Sequence, residues 1–321
     1  MSGRAELTAV LLACLALMSG CSGEQSVLDP KGESAQSIRL LANVLFLGGG
    51  IVLATVIVAT TAALWGPDKL RRALSAERAI VIGGIAFPTV VLTALLVYGV
   101  LAMSPNEPAT KPVRIMVEGK QWWWRVRYEV QGRSFETANE IRMPVDRPVE
   151  FVLTSSDVIH SFWVPNLAGK IDMLPGRTTR LAARATQTGT MRGQCAEFCG
   201  GPHGLMSLRV VAMESKAFDA WAARDRKRNP DDAGHRLFVS VGCGGCHSVE
   251  GTEARGRIGP DLTDVGARAM LAAETLPNSN ENISRWILSG QSIKPENTMP
   301  EFKHLQSHEL ATLSAYLTSL K

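Results

Sequence analysis

Two uncharged runs near the start of the chain constrain its fold more than any other feature. Leu40–Trp65 holds 26 residues without a charge, and Ile80–Met103 holds 24. Each exceeds the ~20 residues needed to cross the hydrocarbon core of a bilayer. Helices of soluble proteins rarely stay apolar on every side for this length, so residues 38–104 read as a transmembrane hairpin. Gly48, Gly49, Gly50 and Pro88 are tolerable inside such spans, because neighbouring helices can satisfy freed backbone groups. The loop between the runs carries Lys69, Arg71, Arg72 and Arg78, whereas the segment from Cys21 to the first run carries only Lys31 and Arg39. Basic residues mark the cytoplasmic side. The expected topology is therefore two-pass, with everything after about residue 104 on the extracytoplasmic side.

Residues 1–21 combine Arg4, an apolar run from Leu7 to Met18, and Ser19-Gly20-Cys21. This reads as a secretory leader. Small residues before a cysteine also resemble a lipoprotein cleavage site, with Cys21 as the lipidated residue; ordinary cleavage and an uncleaved leader stay open beside it. The 321 residues are 45% hydrophobic with a net charge of only +4. Disorder is thereby excluded, and no nucleic-acid partner is expected.

Ser104–Lys111 is a polar linker into the head. Short β-like stretches follow, at Val113–Val117, Trp122–Val130, Val149–Leu153, Thr178–Ala183 and Leu208–Met213, with turn residues between them. They predict an all-β sandwich over residues 112–215. Late in it, Gly193–Met206 (GQCAEFCGGPHGLM) supplies two thiols, an imidazole and a thioether within twelve residues: Cys195, Cys199, His203 and Met206. His160 lies 35 residues upstream of Cys195. Soft sulfur with imidazole favours copper, and a weak axial Met is an electron-transfer device. Two thiolates can bridge two metals, with one His terminating each; Met206 and a backbone carbonyl between Cys195 and Cys199 can fill the weak positions. A Cys195–Cys199 disulfide and a Cys₂His₂ zinc site are the alternatives.

Cys-x₃-Cys-x₃-His-x₂-Met, with Asp157-x₂-His160-Ser161-x-Trp163 upstream, resembles the dinuclear copper (CuA) domain of cytochrome c oxidase subunit II. Gly119-Lys120-Gln121-Trp122-Trp123-Trp124 and Pro175-Gly176-Arg177 are similar to further stretches of that family. Trp123, where a Tyr is more usual, and the order Phe162-Trp163 depart from it without touching a ligand. The resemblance implies a cupredoxin-like fold. It also implies a double role for Glu197: its carbonyl to copper, its carboxylate to a magnesium ion shared with subunit I, where Asp172 could assist. Trp122 would be an exposed aromatic through which electrons arrive and on which a donor docks.

Arg224–Asp232 (RDRKRNPDD) reads as a charged linker. Residues 230–321 then contain Cys243-Gly244-Gly245-Cys246-His247, the attachment signature of a c-type haem. Two thiols add to the haem vinyl groups and His247 becomes an axial ligand. Met299, in Thr298-Met299-Pro300, is the expected sixth ligand, and a Met/His pair raises the potential. Helical periodicity around the motif predicts an all-α module, and Gly259-Pro260-Asp261-Leu262 resembles the haem-packing loop of class I cytochromes c. His235, His304 and His308 read as solvated helix positions.

The resemblance implies an electron-transfer subunit of a proton-pumping haem–copper oxidase. Electrons would pass from cytochrome c or another respiratory complex, through haem c and CuA, to an oxygen-reducing subunit I, with subunit III as a further partner. A nitric oxide reductase accessory subunit and a free-standing, membrane-tethered electron carrier or copper-delivery protein remain as alternatives.

Overall fold

A computed structural model describes residues 22–102, 110–226, 228 and 232–321. The leader, Cys21 included, lies outside the described residues. The chain divides into residues 39–109 and the remainder.

In the first of these, helix α1 (Glu33–Trp65) and the short α2 (Asp68–Leu74) are followed by α3 (Glu77–Val81), which runs through one π-helical turn (Ile82–Ala86) into α4 (Phe87–Ala102). The π turn has a local cause: Pro88 lacks an N–H, and its ring crowds the carbonyl four residues back, so the turn before it widens. Mean hydropathy reaches 2.3 in α1 and 2.5 over Glu77–Leu101, and no residue of either apolar window is buried. Large aliphatic side chains stand outward on both helices, which suits lipid rather than water.

The head begins with two five-stranded sheets. One has the order β3-β2-β1-β5-β8, the other β4-β10-β9-β6-β7. The strands are β1 Val113–Lys120, β2 Trp123–Val130, β3 Arg133–Ala138, β4 Glu140–Pro144, β5 Val149–Ser155, β6 His160–Trp163, β7 Ile171–Met173, β8 Thr179–Ala183, β9 Gly189–Cys195 and β10 Ser207–Met213. β1 pairs antiparallel with β2 but parallel with β5. In β2, Trp124, Val126, Tyr128 and Val130 point inward while Arg125, Arg127 and Glu129 point outward, the period of two that a half-buried strand requires. Trp124, Phe151 and Phe162 form the centre of the core, Trp124 and Phe162 meeting edge to face at 5.9 Å. Residues 22–32 run along this sandwich. The Asn166 amide donates to the carbonyls of Gly23, Ser26 and Asp29, and Lys31 Nζ donates to Thr190 O.

Helix α5 (Ser215–Ala223) covers one end of the core through Phe218 and Trp221. Arg224, Arg226 and Arg228, just after it, act as a docked strap. They converge on Asp264 at 2.6, 3.3 and 3.2 Å. Arg226, 4% exposed, also lies 3.6 Å above the Phe135 ring.

The last module is helical: α6 (Ala233–Ser240), α7 (Asn280–Ile293) and α8 (Ser307–Ser319), with a two-residue hairpin of β11 (Met270–Leu271) and β12 (Leu276–Pro277). Each helix has a sequence-encoded start. The Asp232 carboxylate caps α6, Ser279 caps α7, and Gln306 with Glu309 forms a capping box on α8. Phe238, Ile283, Ile287, Leu313, Tyr316 and Leu317 fill the centre. His235 differs from its expected solvated place. It is fully buried, with Nδ1 2.9 Å from the Tyr316 hydroxyl and Nε2 3.2 Å from Glu253. The Tyr316 partner arrives from α8, far along the chain, so local periodicity could not reveal it. His304 and His308 are exposed, as expected.

Candidate dithiol metal centre and haem cavity

The first site is assembled by strand register. β6 and β9 pair antiparallel with Phe162 opposite Cys195, which sets His160 across from the Cys195–Cys199 loop. His160 Nδ1 lies 3.7 Å from Cys195 Sγ, and His203 Nδ1 lies 3.5 Å from Cys199 Sγ. Each sulfur thus has its own imidazole. Each also has a weak donor: the Glu197 carbonyl 3.2 Å from Cys195 Sγ, and Met206 Sδ 3.8 Å from Cys199 Sγ. Both cysteines are free and buried. The donor atoms of His160, Cys195 and Cys199 all fall within 4.8 Å of one another. Two sulfurs, two nitrogens, a thioether and a carbonyl, arranged as two halves that differ in the weak donor, fit a pair of soft ions.

Supporting groups fix these donors. Asp157 Oδ1 sits 2.8 Å from His160 Nε2, which directs Nδ1 toward the sulfurs. Asp157 Oδ2 in turn accepts from the Gln121 backbone N–H at 2.8 Å. Gly119 is the residue against the imidazole: a Cβ there would stand 2.7 Å from His160 Cδ2. The electrostatics are those of a proton-sharing pair. A hydrogen bond from Cys199 holds the Cys195 thiol down to about 4, and the Cys195 thiolate pushes Cys199 up. Burial opposes the His160 imidazolium, but Cys195 and Asp157 outweigh it and raise its pKa.

Of the remaining expected residues, Glu197 is half-buried, its carboxylate accepting from the Phe198 N–H at 3.2 Å, while Asp172 is exposed on β7. Trp122 is not exposed. It is 9% accessible, and its indole N–H donates to the Cys199 carbonyl at 2.8 Å. The helical module covers it, because that module's cavity uses Trp122 as part of its wall.

That cavity is the second site, about 1390 Å³ with the open space at its mouth included. Cys243, Cys246, His247 and Met299 all line it, together with apolar residues such as Leu271 and Trp286. His247 Nδ1 donates to the Pro260 carbonyl at 2.7 Å, leaving Nε2 as the free lone pair. Burial lowers the His247 pKa, so the ring stays neutral, the form that ligates iron. Gly259 permits this: a Cβ there would lie 2.5 Å from His247 Cε1. Burial pushes the Cys243 thiol up to about 11. Paired thiols, a neutral imidazole and a thioether around an apolar cavity fit a c-type haem.

The sequence motif included Asp157 without assigning it a role, and Lys294 was missed. Asp157 had a signal, its i, i+3 spacing from His160. Lys294 had none. It is a lysine at the end of α7, only 3% exposed, and burial pulls its ammonium down to about 7.

Fold and sites together define a chain that joins a cupredoxin-like domain to a cytochrome c domain behind two apolar helices. The family description "Cytochrome C oxidase subunit II, periplasmic domain" matches residues 127–213, and "Cytochrome c" matches residues 232–321. Cytochrome c oxidase subunit 2 of Alkalihalophilus pseudofirmus is 34% identical, over 95% of this chain and 94% of that protein. The Bacillus subtilis protein of the same name is 29% identical over the same shares. The solved periplasmic domain of subunit II of the Bradyrhizobium japonicum cytochrome oxidase is 32% identical, covering 36% of this chain and 92% of that one, at a TM-score of 0.33. The chain belongs to the cytochrome c oxidase subunit II family and carries a cytochrome c domain of its own. Membership implies a CuA centre in the first domain and a haem in the second.

Proposed function

We propose that this chain is the electron-accepting subunit of a proton-pumping haem–copper oxidase of a bacterial inner membrane. Electrons would pass from a cytochrome c or another respiratory complex to a covalent haem c, then to dinuclear copper, then to subunit I, which reduces oxygen; subunit III is a further expected partner. Cys195, Cys199, His160 and His203 would hold the copper pair, with Met206 and the Glu197 carbonyl as weak donors. The Glu197 carboxylate would contribute to a magnesium site at the border with subunit I. Cys243 and Cys246 would anchor the haem, and His247 and Met299 would supply the donors to its iron. The Asp157 carboxylate and the Pro260 carbonyl each hold an imidazole in the ligating tautomer. Leu271 and Trp286 line the haem cavity with apolar surface.

The observation that carries this reading is the paired geometry at the dithiol, one imidazole and one weak donor beside each sulfur. Metal analysis and spin resonance of the purified complex test it. Two coppers per chain, a mixed-valence signal and one haem that resists acid–acetone extraction are expected. A single copper, or zinc, refutes the bridged pair. Uptake of oxygen by the complex, against nitric oxide, decides the acceptor.

A further inference from the structure

Lys294 is a buried cation with no carboxylate beside it. Its ammonium instead meets three carbonyls: Trp122 O at 2.6 Å, Leu205 O at 2.8 Å and Ala272 O at 3.3 Å. An ammonium has three donors, so all are used. Burying an amine is costly unless its donors are satisfied, and a solvated lysine elsewhere on the surface would avoid that cost altogether. The three acceptors have a telling distribution. Ala272 belongs to the haem-binding module itself. Trp122 and Leu205 belong to the sandwich, and both adjoin the dithiol site. The Trp122 indole donates to the Cys199 carbonyl, and Leu205 lies between His203 and Met206. On the other side, the Lys294 carbonyl accepts from Asn297 Nδ2 at 2.7 Å, and Asn297 Oδ1 accepts from the Met299 N–H at 3.0 Å. One residue therefore connects the loop that presents Met299 with the two segments that flank the copper-type donors. The ion pair Arg209–Glu274 at 2.8 Å and the Ala269 N–H on Glu140 at 3.0 Å support the same contact nearby, but reach neither loop.

We propose that Lys294 is a positioning residue for transfer between the two centres, latching the haem module onto Trp122 and Leu205 so that the Trp122 face is reserved for the chain's own haem. The inference rests on the reading above that both centres are redox sites. Each transfer takes one electron from the haem and adds it to the copper pair, with no bond made or broken and no proton moved at Lys294. Without the latch, the haem module is held by the Arg209–Glu274 pair, the Glu140 contact and its strap, none of which reaches Trp122 or Leu205, and the centres meet at a lower effective concentration.

The test uses the intact oxidase complex with Lys294→Met, which keeps length and removes every donor, and the milder Lys294→Gln. Haem content, copper content and both spectra are measured first. Loss of the copper signal in the unmodified complex would overturn the electron-carrier reading and not the latch. In the loaded variants, deuterium exchange at the backbone of residues 119–124 and 203–207 should rise together. Haem-to-copper transfer, followed after a reducing flash, should slow about ten-fold, while the KM for the external donor stays unchanged. Unaltered exchange and an unaltered internal rate would overturn the latch. Should both variants fail to load, exchange in the unmodified complex still decides. The segments carrying Trp122, Leu205 and Lys294 should open as one unit, and independent opening would refute the proposal.

Discussion

At the scale of single residues, the dithiol site is a problem of proton ownership. In the metal-free chain Cys195 is held as a thiolate while Cys199 retains its proton. Binding both sulfurs to copper must displace that proton, so affinity rises with pH. Copper affinity of the metal-free head, measured against a competing chelator, should climb about ten-fold per pH unit above the raised pKa of His160, one proton being exchanged. Below the raised pKa of His160 a second proton competes and the slope should steepen. An affinity indifferent to pH would contradict this arrangement. Gly119 offers a steric check. In Gly119→Ala the new methyl must push the His160 ring, so copper content should fall or its spin-resonance signal change, with about 1–3 kcal/mol lost from overpacking. Met299→Ala should shift the haem spectrum and lower its reduction potential; an unchanged spectrum would assign the sixth position to another side chain. The ligand types were legible in the sequence, because sulfur and imidazole at short spacing have few other uses. Asp157 and Gly119 were legible only as parts of motifs, since their roles depend on the His160 ring that a strand register places against them.

Among the elements, strands with strict alternation declared themselves. β2 is the clearest, with Trp124, Val126, Tyr128 and Val130 in register. β9 did not, because Gly189, Gly193 and Gln194 dilute its apolar pattern; it is a strand because β10 and β6 hold it on both sides. The docking of the linker's arginines was hidden for a related reason. Three arginines in a row of charges look like a solvated tether until Asp264, about forty residues further along, draws them together. Asp264 is 5% exposed at its side chain and Arg226 3%. Removing the carboxylate leaves a buried guanidinium uncompensated. Asp264→Asn should therefore cost about 3–5 kcal/mol, read as a lowered denaturation midpoint. A loss within experimental error would mean that the stack of Arg226 on Phe135 holds the strap by itself.

For the molecule as a whole, the greatest gap between sequence and structure concerns Trp122. Its motif implied an open platform for an incoming donor. The structure covers that platform with the chain's own helical module, and no local pattern could have announced a contact between residues more than 170 positions apart. A chain shortened to end at Ala223 should leave Trp122 open to solvent. Its indole should then become reactive toward N-bromosuccinimide, while the full-length chain protects it. Equal reactivity in both would show that the cover is not maintained in solution.

Asn166 carries a different kind of consequence. Its amide binds three carbonyls of residues 22–32, and Lys31 of the same stretch finds its acceptor only at Thr190, 159 positions later. The part of the head made earliest by the ribosome is thus among the last to find its place. Until β9 exists, that stretch has nowhere to settle. Its docking is a late, long-range closure, of the sort that slows folding and leaves an edge exposed in the meantime.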